Sequence, residues 1–113
     1  MANRFLGEIA VDHDGASYTL RFDFNAMCDY EADTGRNAMS AIAAFEAGSI
    51  GFSDMRALIH ASLVQENPDA DKRLAGAILS ADMDVLARLI RAAFPDPDPK
   101  AASGNGKAGK RTS

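Results

Sequence analysis

The segment GEIAVDHDGASYTLRFDF, which starts at Gly7, constrains the fold more than any other part of the chain. Apolar residues alternate with polar ones on both sides of Asp14-Gly15, a pair typical of hairpin turns. A period of two places alternate side chains on one face of each strand. Because an isolated two-stranded hairpin is marginally stable in water, its apolar face must pack on other elements. The apolar face is predicted to hold Ile9, Val11, Tyr18, Leu20, Phe22 and Phe24.

The next part of the chain predicts two helices. The first is expected over about 26–34, with Asn25 as its N-cap and Gly35 as the left-handed residue that ends it. The second is alanine-rich, covers about 37–47 and stops at Gly48. Both ends are marked by glycine because a helix commonly closes with a residue of positive φ.

The strongest helical pattern follows Ser53, which is predicted to cap a helix over 54–66. Apolar residues recur there at the i, i+3, i+4, i+7 spacing of a one-sided stripe. Asn67-Pro68-Asp69 ends the pattern, since proline disfavours a helical residue before it. The helical pattern that follows is expected to divide near Ser80, where two nearby acids favour a new helix N-terminus.

These patterns predict an α+β fold, in which an N-terminal β-hairpin packs on a small bundle of four to five α-helices. A chain of 113 residues supports one such domain, which we place at 1–94. Residues 95–113 are predicted to be a disordered tail, because PDPDPKAASGNGKAGKRTS has no large apolar side chain to bury. The predicted core is Tyr18, Leu20, Phe22, Phe24, Met27, Tyr30, Leu58, Ile59, Leu63, Leu86, Leu89 and Ile90.

Charge and composition restrict the classes of partner. Residues 1–94 hold eight Lys or Arg and fourteen Asp or Glu, a net charge of −6, which would repel the phosphates of nucleic acid. No apolar run approaches the roughly 20 residues that span a bilayer, and the N-terminus lacks a secretory signal. A single cysteine, Cys28, agrees with a reducing compartment. We therefore expect a cytoplasmic protein with neither a nucleic-acid nor a membrane partner.

The acidic stretch DYEADTG, residues 29–35, raises the question of a metal site. An EF-hand loop that began at Asp29 would need glycine at position 6 and glutamate at position 12, where this chain has Thr34 and Ser40. On a helix, moreover, acids two residues apart point to different sides. The stretch is predicted to be a solvated helix end without metal, and Glu31 to meet Arg21, Arg56 or water.

Catalytic motifs are also missing from the sequence. Cys28 lies between Met27 and Asp29 with no neighbouring base, and is predicted to be a small buried hydrophobe. There is no P-loop, dinucleotide fingerprint or cluster of Cys and His. We expect no enzyme and no cofactor. The alternative is a carboxylate site assembled from Asp23, Glu31 or His60.

The apolar stripes exceed what one small core needs, so part of this surface is predicted to bind a partner helix or a second copy of the chain. The candidate surface consists of Met39, Ile42, Phe45, Ile50 and Phe52.

The order of these features resembles a known family. NRFLGEIAVDHDGASYTLRFDFNAMCDYEADTG followed by FSDMRALIHASL is similar to small proteins encoded in the tail-gene block of gene transfer agents and long-tailed phages. The resemblance covers about residues 4–94. That family is grouped with phage tail assembly chaperones and is also labelled a tail tube component.

The resemblance implies a non-enzymatic tail assembly chaperone. Such proteins bind the long, helical tape measure protein and shield it until tail tube subunits assemble around it. The partners implied are the tape measure protein and the tail tube protein. The alternative is a structural tail tube or connector subunit of the particle.

Overall fold

A computed structural model describes residues 7–94, so the tail predicted at 95–113 lies outside the described part of the chain. A β-hairpin is followed by five helices, which confirms the predicted α+β class. In chain order the elements are β1 (Glu8–His13), β2 (Ala16–Arg21), α1 (Phe24–Thr34), α2 (Ala38–Ala47), α3 (Phe52–Leu63), α4 (Lys72–Ala81) and α5 (Val85–Ala93).

The hairpin forms as its sequence predicts. β1 and β2 pair antiparallel, with Val11 opposite Tyr18. Asp14 and Gly15 both have positive φ, of 54° and 83°, as a tight hairpin turn requires. Beyond the last strand pair, the Phe22 backbone N–H donates to the Gly7 carbonyl at 2.9 Å, which holds the open end of the hairpin together.

The centre of the core is α3, which packs against α1, α4 and β2. Leu58, Ile59 and Leu63 are fully buried, and the buried Ser62 hydroxyl donates to the Leu58 carbonyl at 2.9 Å. Because this hydroxyl bonds within its own helix, it does not leave an unsatisfied polar group in the core. The large side chains at the centre of the core are Tyr30, Phe22, Leu20, Leu58, Ile59, Leu63, Ile78, Leu86, Leu89 and Val85.

The start of α1 differs from the prediction. The N-cap is Asp23, whose Oδ1 accepts from the Ala26 N–H at 2.9 Å, rather than Asn25. The alternation of the strand therefore stops at Phe22, and Phe24 lies in the first helical turn with 77% of its surface exposed. Its placement in the core is wrong. Among the other predicted core residues, Tyr18 and Met27 are half-buried and the rest are buried.

Two further details of the helices are corrected. α3 begins at Phe52 after Gly51, so Ser53 is not its cap, and it ends at Leu63 rather than at Glu66. Cys28 is exposed, not buried. The buried face of α1 is centred on Ala26 and Tyr30, and a turn of about 100° per residue points position 28 away from it.

The predicted helix ends are confirmed in α1 and α2. Gly35 and Gly48 follow these helices with φ of 72° and 77°. The predicted division near Ser80 is also confirmed, because α4 ends at Ala81 and α5 begins at Val85.

Gly7 offers a test of the hairpin's open end. Its φ is +76°, and a Cβ there would lie 2.6 Å from the Phe22 carbonyl oxygen. Gly15 has a similar φ of +83° but no atom within 4 Å of such a Cβ. We expect Gly15→Ala to cost about 1–2 kcal/mol through its backbone conformation alone, and Gly7→Ala to cost clearly more. Urea denaturation of both variants measures the difference, and equal losses would contradict the fold at this contact.

Candidate partner-binding site

The helical hairpin of α3 and α4 leaves an open groove between its helices. The groove has a volume of about 380 Å³ and lies where the start of α3 meets the end of α4. We call it the α3/α4 groove. It is lined by Phe52, Ser53, Arg56, Gly76, Leu79, Ser80 and Met83.

Large apolar side chains stand at the rim of the α3/α4 groove. Phe52 is 78% exposed and Met83 is 55% exposed, whereas Leu79, which also lines the groove, is 7% exposed. Burying either of the two exposed side chains against another molecule would be worth about 1.5–3 kcal/mol. The arrangement can therefore take up an apolar side chain from another molecule.

The side chain of Arg56, which belongs to α3, lies against α4 at Gly76. A Cβ on Gly76 would be only 3.3 Å from the Arg56 Cδ, so the missing side chain makes room for the arginine stem. Within residues 7–94 the Arg56 guanidinium forms no ion pair. The α3/α4 groove thus combines apolar side chains with a positive charge that has no ion-pair partner among residues 7–94.

The structure separates the residues of the predicted partner surface. Phe52 lines the α3/α4 groove, and Met39 is 53% exposed on α2. Phe45 and Ile50 are half-buried against the core. Ile42 is only 5% exposed, so it belongs to the core and is removed from the predicted surface.

The sequence patterns do not predict Leu79 and Met83 as part of a binding surface. Met83 stands between Asp82 and Asp84, and this acidic context indicated only a helix start. Leu79 follows the apolar stripe of α4 and reads as core. The one available signal was a large apolar residue, Met83, in a short connection between two helices.

A polar contact holds the beginning of α3 in place beside the α3/α4 groove. The buried Tyr30 hydroxyl donates to Asp54 Oδ1 at 3.2 Å, and Arg36 Nε lies 3.3 Å from the same oxygen. Burial, and then the negative charge of Asp54, raise the pKa of Tyr30 above its ordinary value of 10.0. Asp54 also lies in the first turn of α3, where the negative charge of a carboxylate interacts favourably with the positive end of the helix dipole.

The raised pKa of Tyr30 predicts how the free energy of unfolding changes at alkaline pH. Because its pKa is raised on folding, the folded state keeps a proton that the unfolded state releases above about pH 10. The free energy of unfolding of the wild-type chain should therefore fall as the pH rises through this range. Tyr30→Phe should remove this part of the fall while losing about 0.5–3 kcal/mol at neutral pH. Denaturation curves recorded from pH 8 to 11 measure the free energy of unfolding of both proteins. A parallel decline in the wild-type chain and in Tyr30→Phe would refute this role of Tyr30.

The acids of DYEADTG join neighbouring elements to α1. Asp29 accepts from Gln65 at 2.7 Å, and Asp33 pairs with Lys72 at 2.9 Å. Glu31 accepts from the Ala38 N–H at 2.7 Å, at the start of α2. The partner of Glu31 is thus a helix N-terminus, not Arg21, Arg56 or water alone.

The two carboxylates of the alternative site, Asp23 and Glu31, are separated along α1. Asp23 and Glu31 lie at opposite ends of α1, roughly 12 Å apart along its axis. The His60 ring nitrogen Nε2 contacts the Ala70 carbonyl at 3.2 Å, at the loop before α4. Between Gly7 and Phe94, no three His, Cys, Asp or Glu side chains are grouped as metal ligands. None of the helices in that range is long and apolar enough to cross a membrane.

No protein-family model, curated protein or solved structure matches this chain. The features of the chain that bear on function are therefore the α3/α4 groove and the order of elements in the sequence.

Proposed function

We propose that this protein is a non-enzymatic tail assembly chaperone of a gene transfer agent or phage-like particle. In the cytoplasm it binds the tape measure protein and shields it during tail assembly. The observation that carries the proposal is the α3/α4 groove, at which Phe52 and Met83 are held in solvent beside Leu79. The sequence resemblance supports the same role.

The α3/α4 groove suits an amphipathic helix as its ligand. A helix presents apolar side chains every three or four residues, and one of them would pack between Phe52 and Met83. The rest of the domain stays acidic, with a net charge of −6 over residues 1–94, and this charge keeps a coated partner in solution.

A groove this small supplies modest affinity, because little apolar area is buried by one copy. A tape measure protein is long, so many copies can bind along its length. Neighbouring copies that also contact one another would gain affinity through their high local concentration. Shielding then depends on the number of copies bound and not on one tight site.

Co-expression tests the proposal. The tape measure protein encoded in the same tail-gene block is produced with and without this chain, and its soluble fraction is compared. We expect a several-fold increase in soluble tape measure protein with the chain present. Equal solubility in the two cultures would refute the chaperone role.

The free edge of the hairpin favours a second candidate, a structural tail tube or connector subunit. β1 pairs only with β2 among the described residues, and an unpaired strand edge can add a strand from a neighbouring subunit. Mass spectrometry of purified particles separates the two roles. A chaperone leaves before the particle is complete and should be absent, whereas a tube subunit would be abundant.

A further inference from the structure

We propose that the α3/α4 groove selects helices in which an acidic side chain lies one turn from a large apolar side chain, and that Arg56 binds the acid. This inference depends on the proposed function and specifies the class of segment that the groove binds.

The pairing of charges in the domain points to Arg56. Four basic side chains bind carboxylates within residues 7–94, namely Arg21, Arg36, Lys72 and Arg88. Arg56, Arg73 and Arg91 have no ion pair in that range. Residues 7–94 hold fourteen acids and seven bases, yet these three arginines form no ion pair there. Of these three arginines, Arg56 is the one that lines the α3/α4 groove.

The backbone positions Arg56 for a ligand. It lies one helical turn after Phe52, so both side chains line the same side of the groove. Gly76 leaves space for the aliphatic stem, whose Cδ would be 3.3 Å from a Cβ at that position. A stem that lies against the neighbouring helix loses less side-chain freedom when its guanidinium binds a carboxylate. Arg73 lies one turn before Gly76 on α4 and adds a second positive charge near this side.

The ligand follows from this spacing. Arg56 lies one turn from Phe52 on α3, so a ligand helix that runs along α3 with an apolar side chain between Phe52 and Met83 would place a residue three or four positions away beside Arg56. Glutamate or aspartate there can accept two hydrogen bonds from the guanidinium in the planar geometry that arginine favours. Lysine at the same position would be repelled by Arg56, although the domain as a whole is acidic. At the position beside Arg56 the groove thus favours an acidic side chain of the ligand, whereas the net negative charge of the domain alone would favour a basic one.

Selection from a displayed library tests this inference without the tape measure protein. The probe is a library of 18-residue amphipathic helices with charged positions randomised among Glu, Lys and Gln, selected on the full chain. We expect enrichment of Glu one turn from a large apolar residue. For a selected peptide, we expect Arg56→Glu to weaken binding by about tenfold or more, whereas Arg91→Glu, the matched control outside the groove, leaves it unchanged.

A charge exchange completes the experiment. Replacing the selected Glu of the peptide by Lys should weaken its binding to the wild-type chain. The same Lys peptide should bind the Arg56→Glu variant, because the charges are again opposite. The thermal midpoint of Arg56→Glu checks that the variant is folded. Three results would each overturn the inference. The library yields no helix that binds, the selected helices are not enriched in Glu, or a selected peptide binds wild type and Arg56→Glu equally well.

The two proposals fail differently. If the tape measure protein binds the chain and Arg56→Glu binds it as tightly, the chaperone role stands and the acidic selectivity is wrong. If the tape measure protein does not bind but selected helices require Arg56, the selectivity stands and the chaperone role is wrong.

Discussion

Replacing Phe52 and Met83 together by serine is expected to weaken binding of the tape measure protein by about thirtyfold to a thousandfold. The physical reason is that both apolar side chains would become buried only in the proposed complex, and central interface residues of this type contribute about 2–4 kcal/mol together. Both are exposed in the free chain, at 78% and 55%, so the folded domain should be as stable as wild type. Titration calorimetry with a soluble tape measure segment measures the affinity.

Phe24→Ser is the matched control for this experiment. Phe24 is the same residue type and is equally exposed, at 77% against 78% for Phe52, but it lies in the first turn of α1 and does not line the α3/α4 groove. Its replacement should leave affinity unchanged. An equal loss in Phe24→Ser, or wild-type binding by the double variant, would show that the groove is not the site.

Leu58→Ala is expected to have the largest effect on stability, a loss of about 2–5 kcal/mol. Leu58 is fully buried in α3, the helix that contacts α1, α4 and β2, so the cavity would lie where these elements meet. A domain of this size is stabilised by about 5–15 kcal/mol in total, so this single change removes a large part of that stability. Urea denaturation measures the shift in midpoint.

Leu74→Ala provides the comparison for Leu58→Ala. Leu74 lies in the first turn of α4 and is only half-buried against the core, so the same deletion should cost less than half as much. Similar losses in the two variants would contradict the central position of α3.

The hairpin and the helix ends could be predicted because their signals are local. Asp14-Gly15 occupies a turn that needs two positive φ values, and Gly35 and Gly48 occupy left-handed positions. Few other residues adopt these conformations at low cost, so the sequence marks them directly. The stripe around Leu58 was equally informative, because its helical period matches one buried face.

The change from strand to helix after Phe22 was harder to predict. Asp23 and Asn25 are both good N-caps, and the choice between them decides where Phe24 points. The helix starts earlier than expected, and Phe24 is exposed as a result. Cys28 was misplaced for a related reason, since its environment depends on which face of α1 meets α3.

The candidate site could be predicted only in part. Phe52 was identified as surplus apolar surface, but Ile42 is used in the core of the same domain. Met83 and Gly76 come from a part of the chain distant in sequence, and only the folding of α3 onto α4 brings them to Phe52. The space that Gly76 leaves for Arg56 is a property of this packing and has no signal in a single helix.

Size-exclusion chromatography with light scattering tests whether the chain binds the tape measure protein through the α3/α4 groove. The tape measure protein and the full chain are co-expressed, purified through a tag on the tape measure protein, and separated by size. We expect one complex in which several copies of the chain accompany each tape measure protein, and no such complex with the Phe52→Ser, Met83→Ser double variant. Elution of the chain at its own mass, with no tape measure protein in the same peak, would contradict it.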